Sequence, residues 1–310
     1  MIRAAVSLLV ASMAFAQTAQ KPAERGPDHL WIDAVFVDGK GNPVTDIRKD
    51  EVEVWVGHFL APIEEFVSVT PENDAGRGGR LLVLLLDDVF VPLADTARVR
   101  DAARHFVDRM GDADRMAVVM LNGGGMELTA DRARLRQEID HYNVRATGVW
   151  RTDMIGQHIL GTLADLAGKL AEAGDQRKTV VAIGRGDIFD RPLPPPSAGH
   201  DLLPEWVQTM RVMALANATL YVVDSATLGA RRMADRGDAG LAKATGGHAF
   251  IGINDLNGAA DHILRDAANY YLIGLKAPPV GREADLRELE IKVKRRGVTV
   301  RAREAASGGR

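Results

Sequence analysis

Cysteine is absent from the 310 residues, so disulfides are excluded, as is a lipid carried on an N-terminal cysteine. Neither charge sign dominates: 39 Lys and Arg stand against 42 Asp and Glu, for a net charge of -3. Nucleic-acid binders carry a concentrated basic surface, and this balance gives no reason to expect one. The one basic cluster, Lys292, Lys294, Arg295 and Arg296, falls in a strand-and-turn pattern and reads as a solvated edge. Past the first twenty residues no stretch approaches the roughly 18 uninterrupted apolar residues that a membrane helix needs. Gly-x-Ser-x-Gly is missing, and none of the eight histidines forms a His-Glu-x-x-His pair. What remains is an ordinary globular composition, 46% hydrophobic and 26% charged, long enough for one large domain and a smaller one held by packing.

The N-terminus has the pattern of an address. Arg3 supplies a positive start, Ala4 to Met13 an apolar stretch, and Ala14-Phe15-Ala16 before Gln17 a small-x-small cleavage site. Residues 1–16 are therefore expected to be a signal peptide. The mature chain is expected to be secreted, to the periplasm or to the extracellular side of the cell envelope.

Periodicity divides the rest. Between Trp31 and Val69 the chain alternates as strands do, with Trp31, Asp33, Val35 and Val37 on one face and Val52, Val54 and Val56 on one face of a second run. The turn formers Asp38-Gly39-Lys40-Gly41-Asn42-Pro43 separate the two. Residues 30–70 thus predict a small β module, followed by a polar, glycine-rich linker candidate at Pro71 to Gly79.

From Leu81 the pattern changes. Arg80 to Leu86 is an apolar run ending in Asp87-Asp88, the signature of a strand buried on both faces. Helical spacing over Ala94 to Met110, Asp131 to His141, Asp153 to Ala173, Leu202 to Ala216, Ala234 to Thr245 and Asp255 to Ala268 alternates with strand patterns. These lie at Met116 to Leu121, Thr179 to Ile183, Thr219 to Val223 and His248 to Ile251. Strand and helix alternating this regularly predict an α/β, doubly wound, mainly parallel sheet over residues 80–270. The stretch 271–304 alternates again, turns near Gly297, and is expected to complete the β module.

The order of elements, with VFVDGKGNPVTDIRKDEVEVW upstream and YYLIGLKAPP and LRELEIKVKRRGVTVRARE downstream, resembles the secreted bacterial proteins that carry a von Willebrand factor A-related domain. The resemblance spans about Trp31 to Arg303 and implies a Rossmann-like domain that binds other proteins without catalysis. It also implies a divalent metal held by an Asp-x-Ser-x-Ser motif, a Thr from a later loop and an Asp after the fourth strand, hard oxygen ligands suited to Mg²⁺.

Carried over residue by residue, that motif is partial. Asp87 matches, but Val89 and Val91 stand at the Ser positions. Thr152 matches the Thr loop, although a helix N-cap serves it equally well, and Arg185 stands where the Asp is expected. The metal set Asp87, Thr152 and Asp187 is therefore read as degenerate, with an ion pair of Arg185 with Asp87 or Asp88 in the metal's place and no cofactor. The alternative retains Mg²⁺ or Ca²⁺ on Asp87, Asp88 and Asp187, as in a metal-dependent adhesion or sensor protein.

A receiver-type reading of Asp87-Asp88 lacks the Lys it needs after the last strands, and an Asp-x-Asp phosphatase is excluded by Val89. Expected instead is a non-enzymatic binding or scaffolding module whose partner is a protein. Its contact rim would comprise Asp88, Trp150 and Arg185 beside the proline loop Asp190 to His200. Trp150 fits an exposed anchor and a core residue equally. The run Asn122-Gly123-Gly124-Gly125 fits a plain turn or a close approach of backbone amides to a ligand.

Overall fold

The computed structural model describes residues 29–71, 79–145, 152–174, 176–189, 202–226, 240–276 and 286–307. The signal segment, Trp150, the proline loop, most of the linker and the first half of the helix expected over Ala234 to Thr245 lie outside them.

Strands β1 (His29–Asp38), β2 (Val52–Val56), β3 (Phe59–Ala61) and β4 (Ile63–Val69) precede the parallel unit. That unit runs β5 (Leu81–Leu86), α1 (Thr96–Asp108), β6 (Arg115–Met120), α2 (Arg132–Asp140), α3 (Thr152–Ala171), β7 (Lys178–Gly184) and α4 (Gly186–Phe189). It continues through α5 (Leu203–Leu215), β8 (Ala218–Asp224), α6 (Leu241–Ala244), β9 (Ala249–Phe250) and α7 (Leu256–Ala268). Strands β10 (Tyr270–Lys276), β11 (Leu286–Val293), β12 (Val298–Ala302) and β13 (Ala305–Ser307) follow.

Five strands, in the order β6-β5-β7-β8-β9, form an all-parallel sheet. In its interior, between β6 and β7, lies β5, every residue of which is buried. Because side chains alternate across a strand, Val83 and Leu85 pack with Leu163, Leu166 and Leu170 of α3 and Met213 of α5. Leu82, Leu84 and Leu86 face the other way, onto Phe106 of α1, Ile139 of α2 and Ile263 of α7. Helices thus cover both faces, and this is why β5 has no polar side. Two helix starts are fixed by carboxylates that accept otherwise unpaired amides: Asp131 takes Ala133 N at 2.9 Å and Asp255 takes Gly258 N at 2.8 Å.

The flanks form two antiparallel four-stranded sheets, β12-β1-β10-β4 and β13-β11-β2-β3. Ile32, Ala34 and Phe36 of β1 share one apolar cluster with Ile273 and Leu275 of β10, Val52, Val54 and Val56 of β2, and Leu289 of β11. The other face of β1 turns Asp33, Val35 and Val37 inward as well, and Asp33 accepts a hydrogen bond from Asn217 Nδ2 at 2.7 Å. The strand is buried on both faces because residues 29–38 lie at a seam, where strict inside-outside alternation does not apply.

Candidate functional site

In this sheet the strands stand in the chain order 2-1-3-4-5, so the connections leaving β5 and β7 go to opposite faces. The chain leaves β5 for α1, on the side of Phe106, and leaves β7 for α4 and α5, on the side of Met213. Where neighbouring strands part in this way a crevice opens at their carboxyl ends, the ordinary ligand position of open α/β sheets. Asp87 and Asp88 follow β5 there, Arg185 follows β7, and Asp224 ends β8.

The carboxylates do not line an open crevice. Asp87 is 0% exposed and Asp88 2%. Asp87 Oδ1 accepts the amides of Val89 at 3.1 Å and Phe90 at 2.7 Å, and its Oδ2 accepts the amide of Arg185 at 3.1 Å. Asp88 Oδ1 accepts Asn122 N at 2.9 Å, which ties the end of β5 to the turn after β6. Asp224 does the same across the sheet: Oδ1 accepts Gly186 N at 3.2 Å and Ala226 N at 3.1 Å, and Oδ2 accepts Gly252 N at 3.3 Å.

Two glycines allow this. A Cβ on Gly184 would stand 2.2 Å from Asp87 Cβ, and one on Gly186 2.8 Å from Asp224 Cβ, so only bare backbone approaches these acids closely enough. Tyr142 completes the arrangement, its hydroxyl donating to the Asp87 carbonyl at 2.6 Å. Burial pushes the Asp87 carboxyl above its ordinary range; the amides of Phe90, Arg185 and Val89 pull it down, and the neighbouring charge of Asp88 adds to the rise.

This corrects the expectation for Asp87 and Asp88. An acidic strand end on a rim was to present charge to a partner or a cation; instead both side chains lie beneath the surface and hold loops. The bond between Arg185 and Asp87 is made by the Arg185 amide, and Arg185 itself is only half-buried. Thr152 is the first residue of α3 and Asp187 belongs to α4, both placed here as backbone positions. Sequence reasoning missed Asp224, Tyr142 and the Gly184-Arg185-Gly186 pair as parts of the site. The two glycines around Arg185 were the available signal.

The metal implied by the resemblance can be tested against these donors. Asp87 turns both oxygens to N–H groups, the wrong polarity for a cation, and Val89 and Val91 are buried apolar side chains. Among the described residues no three His, Asp or Glu side chains converge as a metal group would require. The Asp87 carboxylate, as arranged, does not fit a ligand of octahedral Mg²⁺, which needs oxygen atoms free to point at one centre.

Beside this end of the sheet, Asn122, Gly123 and Gly124 line a cavity of about 380 Å³ with Met126 and with Gly161 and Asp165 of α3. Gly123 takes φ 99°, a left-handed conformation that favours glycine. Among the described residues no helix is long and apolar enough to cross a membrane. A scan against protein-family models gives no match to this chain, and neither does a search of curated proteins.

Proposed function

We propose that this chain is a secreted, non-enzymatic binding or scaffolding protein, built on a von Willebrand factor A-like domain and working without a metal. The single observation that carries the reading is the commitment of Asp87 and Asp224 to backbone amides of the loops around them. An acid that accepts several amides has little capacity left for proton transfer or cation binding, but it fixes loop geometry. Loops fixed in this way form a preorganised docking surface, which lowers the ordering cost of capturing a partner. The partner is a protein, and the near-balanced charge of the chain argues against nucleic acid. Secretion follows from the segment ending at Ala16.

Capture from envelope extracts, run with and without chelator, tests the reading together with a thermal-shift series in Mg²⁺ and Ca²⁺. Capture that survives chelation, is lost in Arg185→Glu and is accompanied by no metal-dependent rise in Tm is the expected result. Capture abolished by chelator, with a saturable rise in Tm on adding either metal, would replace this reading with the metal-dependent one on Asp87, Asp88 and Asp187.

A further inference from the structure

At the opposite end of the parallel sheet from the acids, where it meets the antiparallel strands, lies a buried polar seam. Arg177, immediately before β7, is 6% exposed. Its Nη2 donates to the Tyr221 hydroxyl at 3.3 Å, and its guanidinium lies over the Tyr270 ring, 5.1 Å from the centroid. Nε and Nη1 have no hydrogen-bond partner. Orphaned donors on a buried guanidinium are costly, and a native fold ordinarily supplies them with something to hold.

The acids of the seam are engaged elsewhere. Asp266, fully buried, receives Arg301 Nη2 at 3.0 Å and the Tyr221 hydroxyl at 3.3 Å. Asp33 receives Asn217 Nδ2 at 2.7 Å, and Asn217 Oδ1 in turn receives Arg303 Nη2 at 2.6 Å. Of the Arg177 nitrogens, Nη2 goes to the Tyr221 hydroxyl and Nε and Nη1 to no acceptor, so among the described residues this buried cation donates to no carboxylate. Beside it is a cavity of about 10 Å³, lined also by Gln176, Thr179, Ala267 and Tyr270. That volume suits one occupant the size of a water or an atomic ion and is too small for a larger polyatomic ligand.

From these two observations, orphaned donors on a buried cation and an adjoining space of the right size, we propose that the Arg177 cavity is a binding site for a single halide-class anion. Chloride is the available member of that class in saline surroundings. The ion accepts from Nε and Nη1, balances the Arg177 charge and so stabilises the docking of the antiparallel strands on the parallel unit. This site stands apart from the binding surface proposed above.

The test uses the full chain at constant ionic strength, with chloride replaced stepwise by gluconate, which is too large for the cavity. Chloride is expected to raise Tm saturably, by about 2 °C or more, and Arg177→Met is expected to abolish the dependence. Should that variant fail to fold, crystals of the unaltered chain soaked in bromide give an independent reading: an anomalous peak within about 3.5 Å of the Arg177 guanidinium. Equal Tm in both salts, no bromide peak, or a bromide peak with no chloride dependence of Tm (an adventitious ion only) each overturns the proposal, leaving a water as the occupant.

Discussion

Replacing Asp87 separates its work as a hydrogen-bond acceptor from its charge. In Asp87→Ala the amides of Val89, Phe90 and Arg185 all lose their acceptor. Each buried donor left unpaired costs about 1–3 kcal/mol, so the gross loss for three is about 3–9 kcal/mol. Removing a carboxylate that is 0% exposed returns part of this, since burying a charge is itself unfavourable. The net destabilisation is expected near 3 kcal/mol, a fall in Tm of roughly 6–12 °C for a chain of this size. In Asp87→Asn the side-chain oxygen still accepts from Val89 and Phe90 while the new NH₂ meets the Arg185 N–H, so the cost falls to about 1–2 kcal/mol.

The pH dependence has a definite sign. Because burial raises the Asp87 pKa in the folded chain above its ordinary 3.8, the folded state binds the proton more tightly than the unfolded state. Relative to Asp87→Asn, the unaltered chain should therefore gain stability as pH falls through the raised folded value toward 3.8 and lose that gain as pH rises again. Urea denaturation of the three proteins at neutral and mildly acidic pH measures all of this. Ala and Asn variants of equal stability, or an Ala variant within about 1 kcal/mol of the unaltered chain, would show that the amides do not depend on this carboxylate.

Other outcomes follow from the same geometry. Gly184→Ala places a methyl 2.2 Å from Asp87 Cβ and should destabilise by more than about 3 kcal/mol. Gly161→Ala, where a Cβ meets nothing within 4 Å, should raise stability by up to about 1 kcal/mol through helix propensity; thermal melts of both variants check the opposite signs. Tyr142→Phe loses the 2.6 Å bond to the Asp87 carbonyl and should cost about 1–2 kcal/mol, with faster exchange of the Val89 and Phe90 amides. Glu51 is held by Arg295 at 2.7 Å and 2.9 Å, and the Arg295 side-chain hydrogen bonds lower its carboxyl to about 2. Its charge supports the fold above pH 4.5 and is lost as pH falls toward 2; an NMR titration should find the value returned toward 4.5 in Arg295→Gln.

The apolar run before Asp87 was legible as a doubly covered strand because six consecutive aliphatic side chains leave no polar face, and β5 is Leu81–Leu86. Helices with clear 3.6 periodicity were legible to within two residues: Asp153 to Ala173 was expected where α3 runs Thr152–Ala171. The address of the acids was legible, since a strand's end follows from its pattern, but their exposure was not. An aspartate after a strand is written identically whether it faces water or the next loop. The outcome depended on Gly184 and Gly186, ninety-odd residues further along, and on Tyr142, which carries no pattern linking it to the Asp87 carbonyl. The buried seam was hidden for the same reason. Asp33 shared a face with Val35 and Val37 in the alternation, yet its partner Asn217 lies 184 residues away.

The neck of the parallel unit is itself a paired ladder. Val69, the last residue of β4, sits opposite Tyr270, the first of β10, so the chain enters and leaves that unit through adjacent antiparallel strands. Everything between them is, topologically, an enlarged hairpin turn. Excising it and bridging the stump with a tight two-residue connection would leave the eight flanking strands with their pairing order intact. Conversely, a load applied to the far side of the parallel unit must part the seam bonds of Asn217 with Asp33 and Arg303 as well as peel the ladder from the Val69 end.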